Sequence, residues 1–188
     1  MVETLNLWER LNQRCQTQSL LHFLKVGYYM LSNTDLEDYA REQRFPLIGV
    51  FSKDELNDME PKVGSYYINM EDSDKGNGTH WVMIRILPHP GNSAFNKALY
   101  FDSFGTYAPK DIDDFLHRYK PYARNDRQIQ DLKSEECGWF CLATDKYFID
   151  HYDKGMDLDD NYCKYLSIYS NDLKRNDKIV KEYLKKTI

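Results

Sequence analysis

At 188 residues, with 25 basic against 30 acidic side chains and a net charge of −5, the chain has the size of one ordinary domain and can bury a sizeable core. The acidic balance argues against broad nucleic-acid binding, and no apolar run approaches membrane-spanning length. MVETLNLWER has neither the basic nor the apolar region of a secretory signal, so Cys15, Cys137, Cys141 and Cys163, which lack a framework spacing, read as reduced intracellular thiols.

In chain order, Leu20, Phe23, Leu24, Tyr28 and Leu31 recur at helical spacing and predict a helix over 4–31, an N-terminal extension to a single domain spanning 1–188. Thr34-Asp35-Leu36-Glu37 has capping-box form and predicts a second, short helix. Phe45-Pro46 interrupts it, and a polar segment follows to Pro61. Three strands are then expected from β-branched and aromatic runs: VGSYYINM (63–70), THWVMIRIL (79–87) and ALYFDS (98–103), with PHPGN as a breaker between the last two.

Pro109 opens a helix with Ile112, Phe115, Leu116 and Tyr119 on one face, and Pro121 follows its end. From Gly138 to Ile149 the sequence is apolar nearly all round, as in a buried helix. The tail 171–188 carries six basic against three acidic residues, with Leu173, Val180 and Leu184 near helical spacing, and predicts an amphipathic closing helix with a solvated basic face. Helices, then a small, mainly antiparallel sheet, then helices make an α+β domain.

The chemistry gathers in three places. If strands 79–87 and 98–103 form a hairpin centred on Gly91, opposed residue numbers sum to 182 and His80 faces Asp102, within reach of a carboxylate-to-imidazole hydrogen bond. Cys137, in SEECGWFC, opens the buried helix, where unsatisfied N–H groups and the helix dipole favour a thiolate. Glu135 and Glu136 oppose that ionisation, so a protonated His80 is required beside the thiol, and Glu136 must either face solvent or engage a neighbour. A metal site from Cys137, Cys141 and His151 lacks a second Cys/His pair at zinc spacing, and Cys141, Cys163 and Cys15 read as buried small apolar residues.

The run Gln130-Asp131-Leu132-Lys133-Ser134-Glu135-Glu136-Cys137-Gly138-Trp139-Phe140-Cys141 resembles the nucleophile motif of adenain, the adenovirus maturation protease. Gly78-Thr79-His80-Trp81 resembles the histidine motif of that family and Tyr100-Phe101-Asp102-Ser103-Phe104-Gly105 its acid motif, in the family's order. The resemblance covers about residues 33–150 and extends to similar proteases of virophages and Maverick/Polinton elements. It implies the adenain/Ulp1-like fold, with Cys137 as nucleophile, His80 as proton carrier, Asp102 as its orienting acid and Gln130 as oxyanion donor beside the Cys137 N–H. Gln128 is the competing donor, and spacing to the cysteine favours Gln130.

By the same resemblance the substrate is a capsid or other virion precursor protein, and the place of action is the host-cell interior and the virion. No cofactor is implied for the chemistry. The chain departs from adenain in carrying Asp102 for Glu and in having no cysteine over 103–136 to take a disulfide-linked activating peptide; an activating peptide or DNA remains unassigned. Other functions on the same fold are removal of ubiquitin-like modifiers, acetyl transfer through the same triad, and a non-catalytic binding module.

Overall fold

A computed structural model of the chain describes residues 30–76, 78–89 and 96–186. The helix expected over 4–31 lies outside these residues, except that Met30 and Leu31 are not helical. The elements in order are α1 (Asn33–Glu42), β1 (Leu47–Ser52), β2 (Gly64–Asn69), β3 (Trp81–Leu87), β4 (Lys97–Phe101), α2 (Lys110–Phe115), β5 (Ala123–Arg124), α3 (Cys137–His151), α4 (Leu158–Leu166) and α5 (Leu173–Lys186). The α+β expectation holds.

Helix α1 is capped two residues earlier than Thr34. The Ser32 hydroxyl accepts from the Asp35 N–H at 3.2 Å, and the Asp35 carboxylate accepts from the Ser32 N–H at 2.8 Å. Ser32 and Asp35 thus satisfy two backbone donors reciprocally, which Thr34 and Glu37 do not. LIGVFS, read from sequence as part of a polar connector, is strand β1; its residues are mostly half-buried without alternation, so it carries no period-two signal.

The sheet order is β1-β2-β3-β4-β5. The central pairs β2–β3 and β3–β4 are antiparallel, while β1 and the two-residue β5 lie parallel at the edges. Every residue of β2 and β3 is buried because the sheet is covered on both faces. Tyr67, Met83, Leu99 and Phe101 pack with Phe140, Leu142 and Phe148 of α3 on one face. Tyr66, Ile68, Val82 and Ile84 pack with Leu56, Ile112 and Phe115 on the other.

Helix α3 is pinned to the sheet by a buried ionic network. Asp145, fully buried, accepts from Ser65 Oγ at 2.6 Å, from Tyr67 Oη at 2.8 Å and from the Arg85 guanidinium. This bond set fixes the rotation of α3 two turns beyond Cys137. Helix α5 falls within the expected closing helix, with Val180 and Leu184 buried; Cys163 is exposed on α4 rather than buried. No helix among the described residues is long and apolar enough to cross a membrane.

Candidate active site

The β3–β4 register differs from the expected one by two. Met83 pairs with Phe101 and Ile86 with Ala98, so opposed numbers sum to 184, and the connection is longer than a hairpin centred on Gly91. A slip of two keeps each side chain on its original face, whereas a slip of one would have reversed it. His80 therefore lies level with Phe104, whose ring stacks on the imidazole with centroids 4.5 Å apart. Asp102 reaches the same imidazole diagonally, its Oδ1 lying 2.8 Å from Nε2.

Asp102 is 1 % exposed, and its carboxylate is filled with donors. Oδ1 also accepts from the Phe104 N–H at 2.9 Å, and Oδ2 accepts from the Thr106 hydroxyl. The turn that delivers these donors closes through the Gly105 N–H to the Asp102 carbonyl at 2.8 Å. Gly105 sits at φ 71°, where a Cβ would meet the Arg127 backbone at 2.7 Å, so the turn needs glycine. Asn125 locks the Asp102 backbone by donating Nδ2 to its carbonyl at 2.5 Å and accepting its N–H at 3.1 Å; Tyr162 in turn donates to Asn125 Oδ1 at 3.2 Å.

The Cys137 thiol is a second neighbour of His80, close enough to act on the titration of the imidazole. Burial lowers the imidazole pKa, but the hydrogen bond to the Asp102 carboxylate and the neighbouring Cys137 sulfur outweigh it and raise the pKa to about 9. Burial likewise raises the Asp102 carboxyl, and the bond to His80 more than reverses this, leaving it below the ordinary value. His80 is thus an imidazolium and Asp102 a carboxylate throughout the neutral range.

Cys137 is 4 % exposed and is the first residue of α3; the Trp81 N–H donates to its sulfur at 3.4 Å. The N-cap residue, Glu136, makes no side-chain cap bond, so the first N–H groups of the helix are left without a capping oxygen. The Glu136 carboxylate turns away and accepts from Lys181 Nζ on α5 at 2.6 Å, while Glu135 is exposed. The two carboxylates that argued against a thiolate are therefore engaged or solvated. Gly138 leaves room for two side chains packed against the start of α3. A Cβ there would meet Leu31 Cβ at 3.1 Å and Trp81 Cδ1 at 3.4 Å, and Trp81 Nε1 donates to the Leu31 carbonyl at 2.9 Å.

Gln130 is 1 % exposed and held at three points. Its N–H donates to the Ser103 carbonyl at 3.1 Å, its Oε1 accepts from Ser103 Oγ at 2.5 Å, and its Nε2 donates to the Ser134 carbonyl at 2.8 Å. An amide nitrogen carries two hydrogens, so the bond to Ser134 leaves one of them unspent. Gln128 is half-buried, and its Nε2 donates to the Gln130 carbonyl at 2.8 Å, which likewise leaves one hydrogen. Sequence reasoning missed Phe104, Thr106, Asn125 and Tyr162. Phe104 and Thr106 lie within the FDSFGT run, where a turn after an aspartate is a visible signal; Asn125 and Tyr162 act from a distance and have none. Among the described residues no cluster of three or more His, Cys, Asp or Glu side chains is arranged to hold a metal ion.

No family model and no curated protein matches the sequence. Solved structures do match in three dimensions. The ASFV pS273R protease superimposes with a TM-score of 0.52 at 14 % identity, over 81 % of this chain and 66 % of that one. Its selenomethionine form gives 0.47 at 15 % identity, over 81 % and 67 %. HopZ1a in complex with IP6 gives 0.39 at 14 % identity, over 77 % and 48 %. The chain spans about two thirds of the length of the protease it fits best among these three. With its helix-flanked mixed sheet and a cysteine opening the buried helix, the chain shares the α+β fold of the ASFV pS273R protease.

Proposed function

We propose that the chain is a cysteine endopeptidase. The observation that carries this reading is His80 held between Asp102 and the thiol of Cys137, at the uncapped start of a buried helix. The Cys137 thiolate forms a bond to the scissile carbonyl carbon, and the carbonyl π electrons move to oxygen. Cys137 N–H and the second Gln130 Nε2 hydrogen stabilise that oxyanion. The oxyanion collapses as the C–N bond breaks, and the His80 imidazolium gives its proton to the departing amine. Neutral His80 then takes a proton from water, which displaces Cys137 from the thioester and releases the acid. Asp102 stays ionised and orients the ring throughout.

The fold shared with a protease supports peptide-bond chemistry, and the motif resemblance supports a capsid or other virion precursor as substrate within the infected cell and the virion. The chemistry itself takes no metal or organic cofactor. Cleavage after small residues is expected, so a fluorogenic acyl-Gly-Gly amide is the first probe. Gln130→Ala should lower turnover of this amide by roughly 10²–10³-fold, the cost of one oxyanion donor. Unchanged turnover would sink the Gln130 assignment. A wild-type chain that processes folded ubiquitin amide while leaving the peptide amide intact would shift the reading to a modifier protease.

A further inference from the structure

We propose that the C-terminal helix α5 is a positioning element for the oxyanion donor, acting through the loop 129–136 that joins Gln130 to Cys137. Three residues along one side of α5 hold three points of this loop. Asn176, fully buried, donates Nδ2 to the Ile129 carbonyl at 2.8 Å. Asp177 Oδ1 accepts from Ser134 Oγ at 2.9 Å. Lys181 Nζ donates to Glu136 Oε1 at 2.6 Å. These three positions span about 7.5 Å along the helix axis, enough to brace both ends and the middle of the loop.

Ser134 is the hub. Its carbonyl accepts from Gln130 Nε2, its hydroxyl donates to Asp177, and that hydroxyl also accepts from the Glu136 N–H at 3.3 Å. Asp177 therefore reaches the oxyanion donor through one intervening residue, and the Glu136 backbone beside Cys137 through the same hydroxyl. Residues 129 and 130 are tied to the Ser103 carbonyl, and Asp131 closes a turn by accepting from the Lys133 and Ser134 N–H groups at 2.9 Å each. Beyond these bonds the middle of the loop is open, with Leu132 77 % exposed and Lys133 and Glu135 exposed. Without α5, Gln130 keeps its bonds to Ser103 but loses the fixed carbonyl that aims its nitrogen. Lys181 serves a second purpose, since it engages the carboxylate adjacent to the nucleophile.

This inference rests on the endopeptidase reading for its kinetic arm and on geometry alone for its structural arm. Asp177→Ala and Asp177→Asn in the full chain are compared on the acyl-Gly-Gly amide, and amide hydrogen exchange is followed over 129–136. Asp177→Ala should lower kcat roughly tenfold, as a slight misplacement of a catalytic group does, with KM unchanged. Asp177→Asn, which keeps the acceptor oxygen, should restore most of the loss. In a Gln130→Ala background Asp177→Ala should cost nothing further, a coupling that general destabilisation would not produce. Amides of 129–136 should exchange faster in Asp177→Ala while those of β2–β4 stay protected. Unchanged exchange over 129–136, or an undiminished kcat loss without Gln130, overturns the proposal. A wild-type chain that cleaves nothing, with exchange still altered by Asp177→Ala, overturns the endopeptidase reading and leaves the brace standing.

Discussion

Cys137→Ala should abolish peptide cleavage while leaving the fold intact. The sulfur accepts one weak bond, from the Trp81 N–H at 3.4 Å, so its removal disturbs little packing. Its chemistry has no substitute: the described cysteine nearest along α3, Cys141, is fully buried, and burial pushes its thiol pKa well up. The loss should be on the order of 10⁶-fold, and His80→Ala should cost a comparable factor. Because the two act as one unit, the double variant should be no worse than either single one. Single-turnover cleavage with a thermal midpoint for each variant checks this. Retention of more than roughly a hundredth of wild-type turnover in Cys137→Ala would remove the cysteine from the mechanism.

Asp145→Ala should produce the largest stability loss of any single substitution argued from this fold. It leaves the Arg85 guanidinium, 8 % exposed, and the fully buried Ser65 and Tyr67 side chains without their common acceptor. Removing one member of a buried pair in this way costs about 3–5 kcal/mol, because the other charge stays buried without compensation. Urea denaturation reads it directly, as a fall in midpoint at unchanged slope. A loss under about 1 kcal/mol would mean that water reaches Arg85 and that the network does not anchor α3.

Asp145 also shows where sequence reading stops. In CLATDKYF it stands as one polar residue within an apolar helix, and its partners lie 60 to 80 positions upstream. Local periodicity reports the burial of α3 but says nothing of what a buried charge meets. Strand β1 was missed for a related reason, since a half-buried strand at a sheet edge need not alternate. The strands around the site were legible because β2 and β3 are dense in β-branched and aromatic residues, as expected of a sheet covered on both faces.

The candidate site was legible in its motifs and less so in its geometry. Counting opposed residues assumed a symmetric connection around Gly91, and the observed register centres one residue later. Parity rescued the inference, because a shift of two left His80 and Asp102 on one face. The cost of the error was Phe104, which occupies the position opposite His80 that the count had given to Asp102. The problem of Glu136 could be posed from sequence but not solved there: its partner, Lys181, lies 45 residues downstream in a tail whose basic face read as solvated.

The central claim is a thiolate–imidazolium pair, and the pH dependence of iodoacetamide labelling at Cys137, in the wild type and in His80→Ala, tests it most directly. His80 keeps its proton until about pH 9, so below that value the imidazolium is present to hold the thiolate. Wild-type Cys137 should therefore label faster than exposed Cys163 at mildly acidic pH, around 6, where an ordinary thiol of pKa about 8.5 is almost wholly protonated. In His80→Ala that advantage should vanish, with labelling rising only as an unassisted thiol ionises. Labelling of Cys137 no faster than Cys163 at that pH, or a rate indifferent to His80, would contradict the pair.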